Sequence, residues 1–150
     1  MVRYTTGNIL DAEAEAVVNT VNTVGVMGKG IALMFKQAYP ENFRQYSDAV
    51  KRSEIEVGHV FPVKSENLMG PKWILNFPTK KHWRHPSKLA WIEAGLHDLT
   101  KTIADLGIRT IAVPPLGCGA GGLQWDTVRP MIEQILGEIP DLDVLVYQPI

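Results

Sequence analysis

Ala16-Val17-Val18-Asn19-Thr20-Val21-Asn22-Thr23-Val24-Gly25-Val26-Met27-Gly28-Lys29-Gly30 joins an apolar run, a polar turn and a glycine-spaced loop that opens a helix. Ala16 to Thr20 is apolar on successive positions, as suits a strand covered on both faces. Similar runs recur at Met1 to Thr5, His59 to Val63, Trp73 to Phe77, Thr110 to Val113 and Val144 to Tyr147. Helical stretches fall between them, over Gly30 to Tyr39, Glu41 to Arg52, Lys88 to Leu106 and Asp126 to Glu138. In the third, Leu89, Ile92, Leu96, Leu99 and Ile103 recur at helical steps and form one stripe for burial. Gly107 stands where a left-handed C-cap is wanted, and Pro40 and Pro140 punctuate the other helices. Strands alternating with helices predict an α/β fold.

A chain of 150 residues is long enough for one domain with a core of its own, and no linker or repeat divides it. Hydrophobic residues make up 45%, yet no apolar run is long enough to cross a bilayer and Met1-Val2-Arg3-Tyr4 has no signal-peptide pattern, so a soluble, cytoplasmic protein without membrane contact is expected. The last strand ends close to Ile150, which leaves open a longer chain with this domain at its N-terminus. Cys118 has no partner for a disulfide, and four His without Cys-x-x-Cys spacing give no zinc site. Neither metal nor cofactor is expected. A net charge of -1 means that any contact with nucleic acid must come from a local patch.

Two glycine-rich loops follow strand candidates. Val24 to Gly30 puts glycines and a helix N-terminus where an anion can approach the backbone, although a plain turn accounts for the glycines equally well. Its spacing is not that of a Walker loop, which excludes a nucleoside triphosphatase. Leu116-Gly117-Cys118-Gly119-Ala120-Gly121-Gly122-Leu123-Gln124-Trp125 is the second, and so many glycines cost more entropy than a connector requires. Its Gly117-x-Gly119-x-x-Gly122 matches the dinucleotide fingerprint only by letter, because it lies late in the chain and lacks the following acidic residue. Both loops lie beyond the C-terminal ends of strands, where an α/β sheet binds ligands, and together they fit one diphosphate.

Gly7-Asn8-Ile9-Leu10, Val17 to Asn22, Gly25 to Ala32 and Gly117 to Gly122, in this order and spacing, resemble the macrodomain family over almost the whole chain. Gly117-Cys118-Gly119 with Leu123-Gln124-Trp125 is similar to the branch holding the terminal ADP-ribose glycohydrolases and the DarG antitoxins, which remove ADP-ribose from DNA. The resemblance implies one macrodomain over residues 1–150, a mixed six-stranded sheet between helices, and ADP-ribose in a cleft across its top. Carried over, Asn8 and Ile9 hold adenine, and Thr20, Val21 and Asn22 approach the distal ribose. Gly28, Lys29, Gly30 and Ile31 form the first diphosphate loop, and Gly117, Cys118, Gly119, Ala120 and Gly121 the second. Tyr147 flanks adenine or its ribose, though a terminal aromatic is as often core.

Lys80, after the strand ending at Phe77 and a Pro78-Thr79 turn, is the residue that the resemblance makes catalytic, attacking the anomeric carbon of the distal ribose. An amine is nucleophilic only when deprotonated, and crowding by Lys29 or Lys81 with partial burial is expected to lower its pKa. The related glycohydrolases carry an Asp where this chain has Gly121. Its absence removes the obvious general acid and is expected to leave room for a bulky leaving group such as a nucleobase. Lys81, His82, Trp83 and Arg84 combine cations with an aromatic, the pairing that grips single strands, although a solvated loop with Trp83 tucked into the core fits the same letters. His82 is a further candidate for orienting Lys80. The expected function is removal of ADP-ribose from a nucleobase, thymidine first, in single-stranded DNA, with a DarT toxin as the partner implied by the resemblance. A non-catalytic reader of ADP-ribose and a hydrolase of protein-linked ADP-ribose are the alternatives.

Overall fold

A computed structural model describes all residues from Met1 to Ile150. Six strands form one sheet: β1 (Val2–Thr5), β2 (Ala16–Asn22), β3 (Phe61–Lys64), β4 (Trp73–Lys80), β5 (Thr110–Val113) and β6 (Asp143–Tyr147). Their order is β1-β6-β5-β2-β4-β3, parallel throughout except for the antiparallel edge pair of β3 and β4. This is the mixed six-stranded sheet that the family resemblance implies. Four helices cover it: α1 (Gly30–Ala38), α2 (Pro40–Lys51), α3 (Leu89–Leu106) and α4 (Trp125–Leu136). None is long and apolar enough to cross a membrane.

The period of two along a strand divides the apolar residues between two cores. Ala16 and Val18 of β2 and Leu75 and Phe77 of β4 face α3 and α4, packing with Ile92, Leu96, Leu99 and Ile103 of the stripe. Val17 and Ile74 face the other side, with Phe35 of α1, Ile9 and Tyr147, and Val21 packs with Met27, Tyr46 and Ala49. Burial on both faces accounts for the unbroken apolar runs. Gly107 closes α3 in the left-handed region at φ 66°.

Most element ends lie within a residue or two of the sequence reading, and three differences bear on the site or the sheet. β2 extends beyond Thr20 to Asn22, because it stays paired with β4 through Val21 and Asn22 finds partners in the loop that follows, its Nδ2 donating to the Val26 carbonyl at 2.8 Å. Within the strand pair, Asn76 Oδ1 accepts from Asn19 Nδ2 at 3.2 Å and from Asn42 Nδ2 at 3.1 Å, while Asn76 Nδ2 donates to Asn42 Oδ1 at 2.8 Å. Pro78 and Thr79 are strand, not turn. β3 begins opposite Asn76 and β2 breaks register after Val21, so Pro78 sits where a missing N–H disturbs little of the ladder. The edge strand starts at Phe61 rather than His59, whose N–H bonds back to the Glu56 carbonyl in a turn.

Gly95 of α3 lies against Phe77, and a Cβ at that position would overlap the phenyl ring. Phe77 is fully buried. Gly95→Ala gains up to about 1 kcal/mol of helix propensity and loses about 1–3 kcal/mol to overpacking. A net loss of stability is expected, read as a lower urea midpoint at unchanged slope.

Candidate active site

The first glycine loop is organised by Asn22 at the end of β2. Its Oδ1 accepts from the N–H groups of Val24 and Gly25, both at 3.1 Å, and of Val26 at 3.3 Å, while Nδ2 donates to the Val26 carbonyl at 2.8 Å. Tyr46 of α2 donates its hydroxyl to the Asn22 carbonyl at 2.6 Å, and burial holds that hydroxyl protonated well above the ordinary phenol range. Met27 anchors the loop from below in the same apolar cluster. Asn22 therefore reaches the site as the frame of a loop, with its amide already engaged, and Thr20 and Val21 line the cleft beside it. Lys29 precedes α1 in extended conformation without a side-chain cap. The first N–H groups of α1 thus keep their capacity for an anion, with the positive end of the helix dipole behind them.

Lys80 ends β4 directly opposite Asn22. The Thr23 N–H donates to the Lys80 carbonyl at 3.1 Å and Thr23 Oγ1 to that of Lys81 at 2.8 Å, so the strand is held past its last residue. Lys80 Nζ donates to the Trp83 carbonyl at 2.9 Å. Burial, then the charge of Lys29, lowers its pKa below the ordinary lysine value. Lys81 takes no part in that shift. Its ammonium turns away, 5.4 Å from the centre of the Trp91 ring. His82 Nδ1 accepts from the Arg84 N–H at 3.1 Å, and the hydrogen bond of Lys80 Nζ goes to the Trp83 carbonyl instead. Trp83 is 38% exposed and lines the cleft, so it is not tucked into the core. Arg84 lies over its ring at 4.5 Å.

The second loop turns through left-handed conformations at Gly117, φ 73°, and Gly122, φ 79°. Gly121 does not open space toward a ligand: a Cβ there would lie 2.5 Å from the Gly117 carbonyl oxygen, so in this loop conformation the position admits no side chain, an Asp included. The Gly121 carbonyl accepts from the Ser87 N–H at 2.9 Å, and Ser87 Oγ donates to the Thr79 carbonyl at 2.5 Å. Buried Ser87 thereby ties the second loop to the strand that carries Lys80. Sequence reading passed over both Thr79 and Ser87, and only the positions of a Ser and a Thr flanking the basic segment signalled them. Cys118 turns its side chain to the core. Burial pushes its thiol up to about 11, and it does not line the cleft.

These three segments enclose a cleft of about 780 Å³ at the C-terminal ends of β2, β4 and β5. Gly28, Lys29, Gly30 and Ile31 form one wall, Gly117, Gly119, Ala120 and Gly121 the opposite one, and Lys80 stands between them with Thr79 and Trp83. Lys29 and Lys80 are the charged residues of the lining, which holds no carboxylate. Asn8, Ile9 and Tyr147 are not brought into it. Asn8 caps the short 3-10 turn Ile9–Asp11 with its side chain, and Ile9 and Tyr147 are buried with Phe35 in the apolar cluster against which Ile31 packs. A second groove of about 830 Å³ between α3 and α4 is edged by Glu93 and Glu138 and lies away from the strand ends. Asn22→Ala would strip the bonds from Val24, Gly25 and Val26. Faster hydrogen exchange at these three amides and a stability loss of about 1–3 kcal/mol are expected.

A sequence model described as Macro domain matches residues 18–132. A DNA ADP-ribosyl glycohydrolase of Mycobacterium tuberculosis is 54% identical over 149 residues, covering 99% of this chain and 42% of that protein. The protein of the same description in Thermus aquaticus is 49% identical over 150 residues, covering 100% and 42%. The chain thus spans about two-fifths of the length of these curated relatives. Among solved structures, the macrodomain of Mycobacterium tuberculosis DarG superposes with a TM-score of 0.98 at 54% identity, covering 100% of this chain and 99% of that one. Thermosipho africanus DarTG in complex with ADP-ribose superposes with a TM-score of 0.93 at 34% identity, covering 99% and 42%. Sequence model, relatives and fold agree, and the chain belongs to the macro domain family.

Proposed function

We propose that this domain binds ADP-ribose in the carboxylate-free cleft and hydrolyses the N-glycosyl bond that joins it to a base of single-stranded DNA. The observation that carries this reading is Lys80, a partly buried amine of lowered pKa, standing between two loops suited to a diphosphate. The amide groups that begin α1 and the Lys29 charge face the diphosphate, and Gly117, Gly119 and Ala120 close over it. The distal ribose then lies near Thr20, Val21 and Lys80. The adenine end lies where Ile31 joins the cleft to the cluster of Ile9, Phe35 and Tyr147.

In the reaction, neutral Lys80 Nζ bonds to the anomeric carbon as the bond from that carbon to the base nitrogen breaks. The base nitrogen takes the electron pair and receives, through solvent, the proton lost by the attacking amine. Water then adds to the anomeric carbon as the bond to Nζ breaks. Nζ keeps the electron pair and takes the proton that the water loses, which restores the neutral amine, and free ADP-ribose leaves with the new hydroxyl. No lining carboxylate protonates the leaving group, which favours one that departs readily as an anion. The N3 of thymine, an imide between two carbonyls, meets that demand better than an alkoxide does. Similarity to glycohydrolases described as acting on DNA supports the same choice. In the cell the reaction would reverse the work of a DNA ADP-ribosyltransferase, with a DarT toxin as the cognate partner and Lys81, His82, Trp83 and Arg84 beside the strand.

The testing experiment incubates the protein with ADP-ribosylated single-stranded DNA and, separately, ADP-ribosylated protein. Release from DNA that falls by several orders of magnitude in Lys80→Ala, with affinity for ADP-ribose kept, is the expected result. Release from protein alone would reassign the substrate, and binding without release would make the domain a reader. The pH profile gives a second check. A neutral amine nucleophile makes kcat/KM rise with pH up to the Lys80 pKa. Lys29→Met removes one cause of the lowered value, so the rising limb moves to higher pH and the rate at neutral pH falls.

A further inference from the structure

Of the four tryptophans, Trp73 and Trp125 pack against the main core. Trp83 and Trp91 belong to none of the apolar clusters. Trp91 lies half-buried in the first turn of α3, with the Lys81 ammonium 5.4 Å and the Lys88 ammonium 5.3 Å from its ring centre. Residues 67–92 hold Lys72, Lys80, Lys81, Arg84 and Lys88 without one Asp or Glu. The ion pairs of the molecule lie elsewhere, on Arg44, Arg52, Arg129, His59 and the N-terminus. Two ammonium groups brought to one ring repel each other, and a cation over an exposed indole is a weak attraction. An anion arriving between them relieves that repulsion, and a flat apolar group on the indole completes the site. A nucleotide supplies both, its phosphate to the lysines and its base to the ring.

The surface is continuous with the cleft. Lys81 follows Lys80 in the chain, its carbonyl is fixed by Thr23, and its ammonium reaches Trp91. Trp83 stands at the mouth, stacked on His82 with ring centres 5.3 Å apart. We propose that Trp91, with Lys81 and Lys88 about its ring, is a second stacking platform that holds a nucleotide flanking the modified one. The strand leaves the cleft over Trp83 and continues across the start of α3. The platform requires unstacked bases and therefore selects single strands over duplex. This inference rests on the DNA-linked reading of the cleft.

The test measures fluorescence anisotropy of an unmodified, labelled oligothymidylate of about ten nucleotides with the whole chain. Trp91→Ala is expected to weaken binding about tenfold. Lys88→Gln is expected to weaken it less and to reduce the slope of log Kd against log salt by about 0.7. Both variants keep the affinity of the parent for ADP-ribose, which reports an intact fold and cleft. Unchanged oligonucleotide affinity in Trp91→Ala would overturn the platform. An oligoglutamate that competes as well as the oligonucleotide would also overturn it, reassigning the surface to acidic peptides. Unmodified DNA enters this measurement without turnover, so absence of ADP-ribose release from modified DNA counts against the hydrolase reading and not against the platform.

Discussion

The pairing of β2 with β4 is the constraint on which the site depends. Apolar residues on both faces of these strands are committed to two separate cores, and a slip of one position would turn each of them to the wrong side. In the register that burial selects, Asn22 falls opposite Lys80 after a break at Val21. The residue that organises the first loop and the amine of the cleft are thereby neighbours on strands rather than on mobile connections. Thr23 extends the pairing to Lys81, and Ser87 joins β4 to the second loop through Thr79 and Gly121. Three sequence-distant segments become one frame, which is how the site keeps its geometry.

Charge is distributed to the same end. The near-neutral total conceals a division in which residues 16–40, 67–92 and 106–125, the segments that build the cleft, carry no Asp or Glu. An anion entering there meets Lys29, Lys80 and the start of α1 with nothing to repel it. The same arrangement leaves Lys80 beside another cation and no counter-ion, the condition that favours a neutral amine. In the proposed reading, diphosphate binding and activation of a nucleophile both draw on this one pattern of composition. The outer cations, Lys81, Arg84 and Lys88, continue that pattern over the surface and gather around tryptophans that no core claims.

Much of the fold was legible because it rests on periodicity. Burial on both faces produces continuous apolar runs, and the stripe from Leu89 to Ile103 packs as its spacing requires. The glycine loops were legible for a similar reason, since positive φ at Gly25, Gly117 and Gly122 leaves a mark in the letters. Side-chain roles set by tertiary contact left no such mark. Asn22 reads as a turn residue and proves to be the hub of one, because its partners are backbone groups that any sequence would supply. Gly121 reads as vacant space, and its missing Cβ points instead into the backbone of Gly117. Pro78 reads as a strand breaker, and the register break beside it and the late start of β3 remove the conflict. Tyr147 and Ile9 pack in the apolar cluster under α1, a placement that their letters alone do not signal.

Central to the proposed reaction is a Lys80 that the cleft itself makes nucleophilic. An NMR titration of the lysine Cε resonances of the unliganded protein, with Lys80 assigned by its loss in Lys80→Ala, tests it directly. Lys80 is expected to titrate below the bulk of the lysines and to move back toward them in Lys29→Met. A Lys80 that titrates with the rest, or one indifferent to Lys29, would contradict it.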